Sequence, residues 1–523
     1  MLDLNSLAIN IVIVVVAFLI WLKVSLWAKG DARRKRIKFP ALIFLFVFVF
    51  NIPALIIYLF LRKRRRPFRC SYCGYDLDNV ISETNFFVCP KCNHVIQSSI
   101  THQIFYNKIE HFKGDSIKVF DYEGLPLENV VKSAGKSRIW TIVKFYLDTA
   151  IRQNATDIHF DPEKEKVRIR QRVDGVLYDL ISPPKELGVK LTSIIKILAG
   201  LDIAKKKEAQ SGRFETWVGN DKYDLRVSTS YSIMGEKITI RLLNRAMTMV
   251  SLEGLGLYKD DLLKLSEVVE NPHGMILICG PTGSGKTTTL YSIIKRLNPQ
   301  SRNIMTIEDP VEYEMPQISQ QQVNIKAGIS FAAGLRSMLR QDPDVIMIGE
   351  IRDAETAKIA NHASDTGHLV LSTVHAIDTA GTIARLKDFG IGAHYLSSSL
   401  LAVISQRLMR VLCENCKEKI EYKELVPENV IRNVYRAKGC QKCNYTGFKG
   451  RTAVFEILYA TKEVRELIYN DASPDEIRNN YKKWGIKTLK EQALKKVQEG
   501  KTTLQEVKTV VHLNISSKQD VGN

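Results

Sequence analysis

The stretch from Met275 to Thr288 limits what this chain can fold into more than any other. Met275-Ile276-Leu277-Ile278-Cys279 is an unbroken apolar run of strand length, followed at once by Gly280-Pro281-Thr282-Gly283-Ser284-Gly285-Lys286-Thr287-Thr288. A buried strand, a glycine-rich turn and a helix over Thr288–Leu297 make one unit of a parallel α/β sheet. Glycines let the backbone wrap a phosphate, and the amides that open the helix add a favourable dipole. Lys286 is placed to reach the β- and γ-phosphates, and Thr287 to help hold Mg²⁺. The expected ligand is therefore ATP, cradled by Gly280 through Thr288.

More apolar strands follow. Ile304–Ile307 ends in Glu308-Asp309, Asp344–Ile348 runs into Gly349-Glu350, and Leu369–Ser372 is flanked by His368 and His375. Carboxylates at the C-terminal ends of parallel strands stand where an α/β sheet binds its ligand. Glu350 is the candidate for polarising the attacking water, with Glu308 and Asp309 near Mg²⁺. The two histidines are read as a γ-phosphate sensor. Gly349 stands where such a strand ordinarily ends in Asp, so metal support has to come partly from elsewhere.

Eight of the nine cysteines form C-x-x-C pairs: Cys70/Cys73, Cys89/Cys92, Cys413/Cys416 and Cys440/Cys443. Two intervening residues let one tight turn present both sulfurs to a tetrahedral ion, and four thiolates close its coordination shell. Two structural Zn²⁺ sites are expected, the first a zinc ribbon. Disulfides belong to oxidising compartments, whereas an ATP-dependent protein works in the cytosol. Cys279, inside an apolar strand, is a core residue.

The net charge of +19 invites a nucleic-acid reading. Its distribution argues otherwise. Residues 1–69 hold thirteen basic side chains and two acids, or +11, leaving +8 for the rest. These cations gather in two clusters, Lys29–Lys38 and Arg62–Arg66, each closing an apolar run of about twenty residues (7–27 and 41–61). That length crosses a hydrocarbon core, and Trp21 and Trp27 lie where interfacial aromatics sit. The charge excess is thus mainly a membrane-orientation signal, and the surface it implies is an anionic bilayer; no specific nucleic acid is expected. Asn51-Ile52-Pro53 in the second run predicts a re-entrant or kinked hairpin that keeps both clusters on the cytoplasmic side. A mean hydropathy of −0.10 excludes a protein made chiefly of spanning helices.

Gly280–Thr289, Ile307–Tyr313, Leu339–Asp353 and Gly367–His375 together resemble the Walker A, aspartate, Walker B and histidine boxes of the type II secretion and type IV pilus assembly ATPases. Thr156–Phe160, Ile197–Ile203, Arg226–Thr229, Gln406-Arg407-Leu408, both late cysteine pairs and Gly450-Arg451-Thr452 extend the resemblance. It implies an α/β protein with a RecA-like P-loop ATPase core at 246–405, preceded by a PAS-like α+β domain at 137–245. A tetracysteine zinc insert at 406–450, a helical C-terminal domain at 451–515 and a tail at 516–523 follow. Ahead of these lie a membrane anchor (1–66), the zinc ribbon (67–95) and a linker (96–136), in which Ser116–Tyr122 has the pattern of a short strand. The resemblance further implies a homo-hexamer at the bacterial inner membrane with its catalytic domains in the cytoplasm, acting on an inner-membrane platform protein. Arg226 and Arg241 would project toward the nucleotide from the N-terminal half, and Arg336 and Arg340 from the motor. Planar guanidinium forks suit developing phosphoryl charge.

Three departures stand out. Ile377 occupies the place of the family's asparagine after the second box histidine, and Ala209-Gln210-Ser211-Gly212 replaces a Pro-Gln-Asp-Gly turn. The membrane segments and ribbon replace a soluble docking domain. The rival within the fold is a pilus-retraction motor, against which the late cysteines argue. A rival of another class is a zinc-ribbon nucleic-acid-binding P-loop protein. Against that one, the aromatics near the basic clusters belong to apolar runs rather than stacking platforms.

Overall fold

A computed structural model describes residues 21–26, 86–88, 95–97, 112, 117–126, 138–244, 250–426 and 429–511. The chain divides into two units, residues 1–101 and 102–523. Of the first, the described parts are a helical segment at 21–26 and two antiparallel strands, β1 (Phe86–Val88) and β2 (Val95–Gln97), with Phe86 opposite Gln97. The remainder of the expected membrane segments, the kinked hairpin and Cys70, Cys73, Cys89 and Cys92 lie outside the described residues. Among the described residues no helix is long and apolar enough to cross a membrane.

The second unit begins with an antiparallel sheet. Its strands are β3 (Ile117–Phe120), β4 (Ala155–Pro162), β5 (Val167–Val173), β6 (Val176–Asp179), β7 (Gln210–Val218), β8 (Asp221–Ser232) and β9 (Gly235–Asn244), in the order β3-β7-β8-β9-β4-β5-β6. The short strand expected within 116–122 is β3, at the sheet edge on β7. Period-two patterning sorts the residues: Leu225, Val227, Ile238 and Ile240 are buried, while Arg226 and Arg241, directly opposite in register, share the other face. Helices α1 (Arg138–Arg152) and α2 (Lys185–Leu198) cover the apolar face with buried Ile142, Tyr146, Leu147, Leu191 and Ile195, spaced for one helical side. The Tyr146 hydroxyl enters that core and donates to the Ile181 carbonyl at 2.6 Å.

The second sheet holds the phosphate-loop unit. Its strands are β10 (Gly274–Cys279), β11 (Ile304–Glu308), β12 (Ser319–Gln322), β13 (Val345–Ile351), β14 (Leu369–Val374), β15 (Leu400–Leu412) and, after the hairpin β16–β17 (Lys417–Val426 and Asn429–Ala437), β18 (Phe448–Tyr459). The order is β12-β11-β13-β14-β10-β15-β18, and only the edge pair β15–β18 is antiparallel. Every residue of β10 and β14 is buried, as strands covered on both faces require. Alternate side chains of β10 feed two cores, Met275, Leu277 and Cys279 on one side and Ile276 and Ile278 on the other. Around the sheet lie α3 (Lys259–Val269), α4 (Lys286–Arg296), α5 (Phe331–Met338), α6 (Ala354–Asp365), α7 (Thr379–Asp388) and α8 (Ala393–Ser399). The short helices α9 (Lys462–Tyr469), α10 (Pro474–Asn479), α11 (Leu489–Gln498) and α12 (Leu504–Val510) follow β18.

Two boundaries differ from the sequence expectation. Helix α4 begins at Lys286 rather than Thr288, because Gly285 takes a left-handed conformation (φ 89°) and caps it directly. Strand β15 continues through residue 412, and β18 returns beside it with Arg407 opposite Val454. Residues 406–412 and 451–459 therefore extend the motor sheet, and the cysteine segment hangs from its end.

Candidate functional site

The phosphate loop leaves β10 at its C-terminal end. Gly283 and Gly285 hold φ of 79° and 89°, a region that side chains disfavour, so the motif glycines are required here by the backbone. Thr287 and Thr288 are exposed on the first turn of α4, and Thr289 is buried behind them. The Lys286 ammonium lies over the loop, donating to the carbonyls of Gly280 (2.9 Å) and Pro281 (3.1 Å). Burial lowers its pKa from the ordinary lysine value, and the nearby Glu350 carboxylate opposes that shift.

Glu350 stands at the end of β13, two strands from the loop across β14. One carboxylate oxygen faces His375 Nε2 at 3.1 Å, and the other pairs with Arg352. That hydrogen bond raises the guanidinium pKa of Arg352. In the sequence Arg352 carries no signal beyond its position two residues after Glu350. Lys286, Glu350 and His375 thus converge at the C-terminal ends of neighbouring strands, the position in which an α/β sheet does its chemistry.

His368 is elsewhere. It precedes β14, its carbonyl accepts from Gly274 N at 3.1 Å, and its Nδ1 lies 2.9 Å from the Ala363 carbonyl. Gly274 starts β10, whereas the phosphate loop follows its end, so His368 sits at the opposite end of the strands. At about 3.3 Å per residue the two histidines are roughly 20 Å apart. The expectation that both flank the γ-phosphate is corrected accordingly: His375 is at the site and His368 is not.

The aspartate box divides as well. Glu308 is 2 % exposed and accepts hydrogen bonds from Tyr291 Oη, Thr306 Oγ1 (2.7 Å) and Gln320 Nε2 (3.1 Å). Burial, and then the Glu308 charge, push the Tyr291 phenol far above its ordinary value. The same hydroxyl accepts from Glu312 N at 3.3 Å. Glu308 thereby organises the Asp309–Tyr313 segment from below, while Asp309 is exposed.

That segment receives Arg226 from the antiparallel sheet. Arg226 Nη2 donates to the Val311 carbonyl at 3.1 Å, and Nη1 lies 3.6 Å from the Glu312 carboxylate. Glu312 is raised from its ordinary pKa by burial, against the lowering pull of Arg226 and Arg241. Arg241 instead pairs with Asp157 at 3.2 Å on its own sheet and stays exposed. Arg336 pairs with Glu355 of α6 on the surface, and Arg340 is exposed in the turn after α5.

Cys413, Cys416, Cys440 and Cys443 converge, their sulfurs all within 4.8 Å of one another. The pairs Cys413–Cys440, Cys416–Cys443 and Cys440–Cys443 are 3.9, 3.8 and 3.8 Å apart. Zn–S bonds of about 2.3 Å in a tetrahedron put sulfurs about 3.8 Å apart, so the donor set fits the ion. The amides of Cys440 and Gly447, each 3.2 Å from Cys443 Sγ, supply the hydrogen bonds a thiolate needs.

Comparison with known proteins agrees with this geometry. The sequence model of a family described as Type II/IV secretion system protein matches residues 132–509. Type II secretion system protein E of Pseudomonas aeruginosa is 44% identical over 386 residues, 73% of this chain and 77% of that protein. Type II secretion system ATPase E of Vibrio cholerae is 41% identical, covering 77% and 81% of the two chains. The type IV pilus assembly ATPase PilB of Myxococcus xanthus is also 41% identical, covering 75% and 71%. Among solved structures, the Legionella pneumophila ATPase DotB superposes with a TM-score of 0.54 at 23% identity, over 70% of this chain and 94% of that one, a likeness of fold.

Proposed function

The chain belongs to the Type II/IV secretion system protein family, and on that premise we propose that it is the ATP-hydrolysing motor that drives assembly of a pseudopilus or a type IV pilus. The observation that carries this reading is the meeting of the phosphate loop, Lys286, Glu350 and His375 at the C-terminal ends of the central strands. Lys286 neutralises charge on the β- and γ-phosphates. Glu350, oriented by His375 and Arg352, accepts the proton of the attacking water. Mg²⁺, held by Thr287 with help from the exposed Asp309, would neutralise the remaining phosphate charge when bound. Arg226 ties the N-terminal sheet to the segment after Glu308, so closing of that sheet over the nucleotide reaches the site through Val311 and Glu312.

We assign residues 137–245 to a mobile PAS-like domain and the parallel sheet with its helices to a RecA-like motor. A homo-hexameric ring on the cytoplasmic face of the inner membrane, acting on a membrane platform protein, suits this division of labour. The tetrathiolate after β15, which suits a structural Zn²⁺, supports an assembly motor over a retraction motor. The test is complementation of a strain lacking this gene. Wild-type protein restores extracellular fibre or secreted substrate, and Lys286→Ala does not. A surplus of fibre in the deletion strain would identify retraction instead.

A further inference from the structure

The site described above leaves Gln406-Arg407, in the middle of β15, without a task. Gln406 is 1 % exposed and lies beneath the phosphate loop. Its Nε2 donates to the Ser284 carbonyl at 2.6 Å, and its Oε1 accepts from Thr289 Oγ1 at 2.8 Å. One amide therefore clamps the loop and the first turn of α4 together. The fit is close: a Cβ at Gly285 would come within 3.0 Å of Gln406 Nε2, and one at Gly280 within 2.7 Å of the Gln406 carbonyl. These two glycines are required by β15 as well as by a phosphate.

Arg407 reaches the other way. Its Nη1 donates to its neighbour's carbonyl, that of Gln406, at 2.9 Å, and its Nη2 to the Ile377 carbonyl at 2.8 Å. Ile377 lies two residues beyond His375, and it is the backbone, not the exposed side chain, that Arg407 holds. The guanidinium also stands within 3.2 Å of where a Gly280 Cβ would be. It links the Gln406 carbonyl, which packs against the first residue of the phosphate loop, to the loop that carries His375. Both of its hydrogen bonds go to backbone carbonyls, with the Glu456 and Asp378 carboxylates acting on it electrostatically.

We propose that Gln406 and Arg407 are positioning residues that fix the two halves of the nucleotide site to one strand. Gln406 sets the phosphate loop, and Arg407 sets the spacing between that loop and the His375 loop. The inference rests on the reading of the site as an ATPase, and it makes the two residues separable. Gln406 holds the loop backbone and the helix start, which cradle phosphates common to ATP and ADP, so loss of Gln406 weakens binding of both nucleotides. His375 and Glu350 act where the γ-phosphate is attacked, so loss of Arg407 slows turnover while ADP binding is kept.

The experiment measures ADP affinity, ATP affinity and steady-state hydrolysis for full-length wild type, Gln406→Met, Arg407→Ala and Arg407→Lys. Removing a buried hydrogen-bonding partner predicts about tenfold weaker binding of both nucleotides in Gln406→Met, with kcat within about threefold of wild type. In Arg407→Ala, kcat falls about tenfold and ADP affinity stays within about twofold. Lysine can still donate to the Ile377 carbonyl, so Arg407→Lys recovers most of kcat. The proposal is overturned if Arg407→Ala loses ADP affinity and kcat in parallel, if it changes neither, or if lysine rescues nothing. Should Gln406→Met fail to fold, the arginine pair decides alone. Absence of hydrolysis in the wild type would instead refute the ATPase reading itself.

Discussion

Replacing Glu308 by alanine distinguishes a metal-site carboxylate from an internal brace. In the structure this carboxylate is almost fully enclosed and satisfies three donors, those of Tyr291, Thr306 and Gln320. Tyr291 and Thr306 are themselves buried, 2 % and 0 % exposed, so bulk solvent does not reach them. Gln320 keeps a second acceptor, the Tyr313 carbonyl at 2.9 Å. Glu308→Ala thus orphans two buried hydroxyl donors, at about 1–3 kcal/mol each, or about 2–6 kcal/mol together. That is a large share of the roughly 5–15 kcal/mol that holds an ordinary domain folded. At about 2–4 °C per kcal/mol for a domain of this size, the melting transition of the motor falls by at least about 4 °C. Glu308→Gln keeps the shape and one oxygen, enough to accept from Thr306 and Gln320, and loses the acceptor that faces Tyr291, at a cost of about 1 kcal/mol. The assay is thermal unfolding of full-length protein alongside the Mg²⁺ dependence of hydrolysis. An unchanged melt in Glu308→Ala, together with a Mg²⁺ requirement raised tenfold or more, would refute the brace and restore the metal role.

Three further outcomes are expected. Cys443→Ser removes one ligand of a closed shell, so elemental analysis of the purified protein is expected to find one equivalent of zinc per chain less than in wild type. Arg226→Ala destabilises the contact between the two sheets by about 1 kcal/mol at neutral pH, since the pair is partly exposed. Burial holds the Glu312 pKa above the ordinary 4.5 and Arg226 only moderates that rise, so the contribution of Arg226 is present while Glu312 is ionised and is lost as pH falls through the raised value, before 4.5 is reached; denaturation of wild type and variant across pH 4–8 reads this out. A cysteine placed at Lys35 is labelled from the cytoplasmic side, and labelling only from outside the cell would overturn the kinked-hairpin topology.

The sequence was most legible where chemistry fixes residue type over a few positions. Gly283, Gly285 and Lys286 are dictated by a tight turn around phosphate, so the loop is legible from the sequence alone. Glu350 and His375 were readable because each ends a strongly apolar strand on the ligand side. The same logic misplaced His368: flanking a strand looks symmetrical in sequence, but the strand separates its two ends by its full length. Glu308 looked like its neighbour Asp309, and only the surrounding donors, from three separate elements, reveal that one is enclosed and the other exposed. Gln406 meets Ser284 across 122 residues of chain, a relation no local pattern carries. The continuation of β15 to Leu412 was hidden for a related reason, since its partner β18 arrives only after the cysteine segment.

The central claim is that Glu350, beside Lys286 and His375, activates water for ATP hydrolysis. The most direct measurement is phosphate release from Mg·ATP by full-length wild type and Glu350→Gln, with ATP affinity determined on the same preparations. Loss of a general base predicts a fall in kcat of about 10²-fold or more, with ATP affinity kept within a few-fold because Lys286 and the loop remain. Turnover by Glu350→Gln at the wild-type rate would contradict the account.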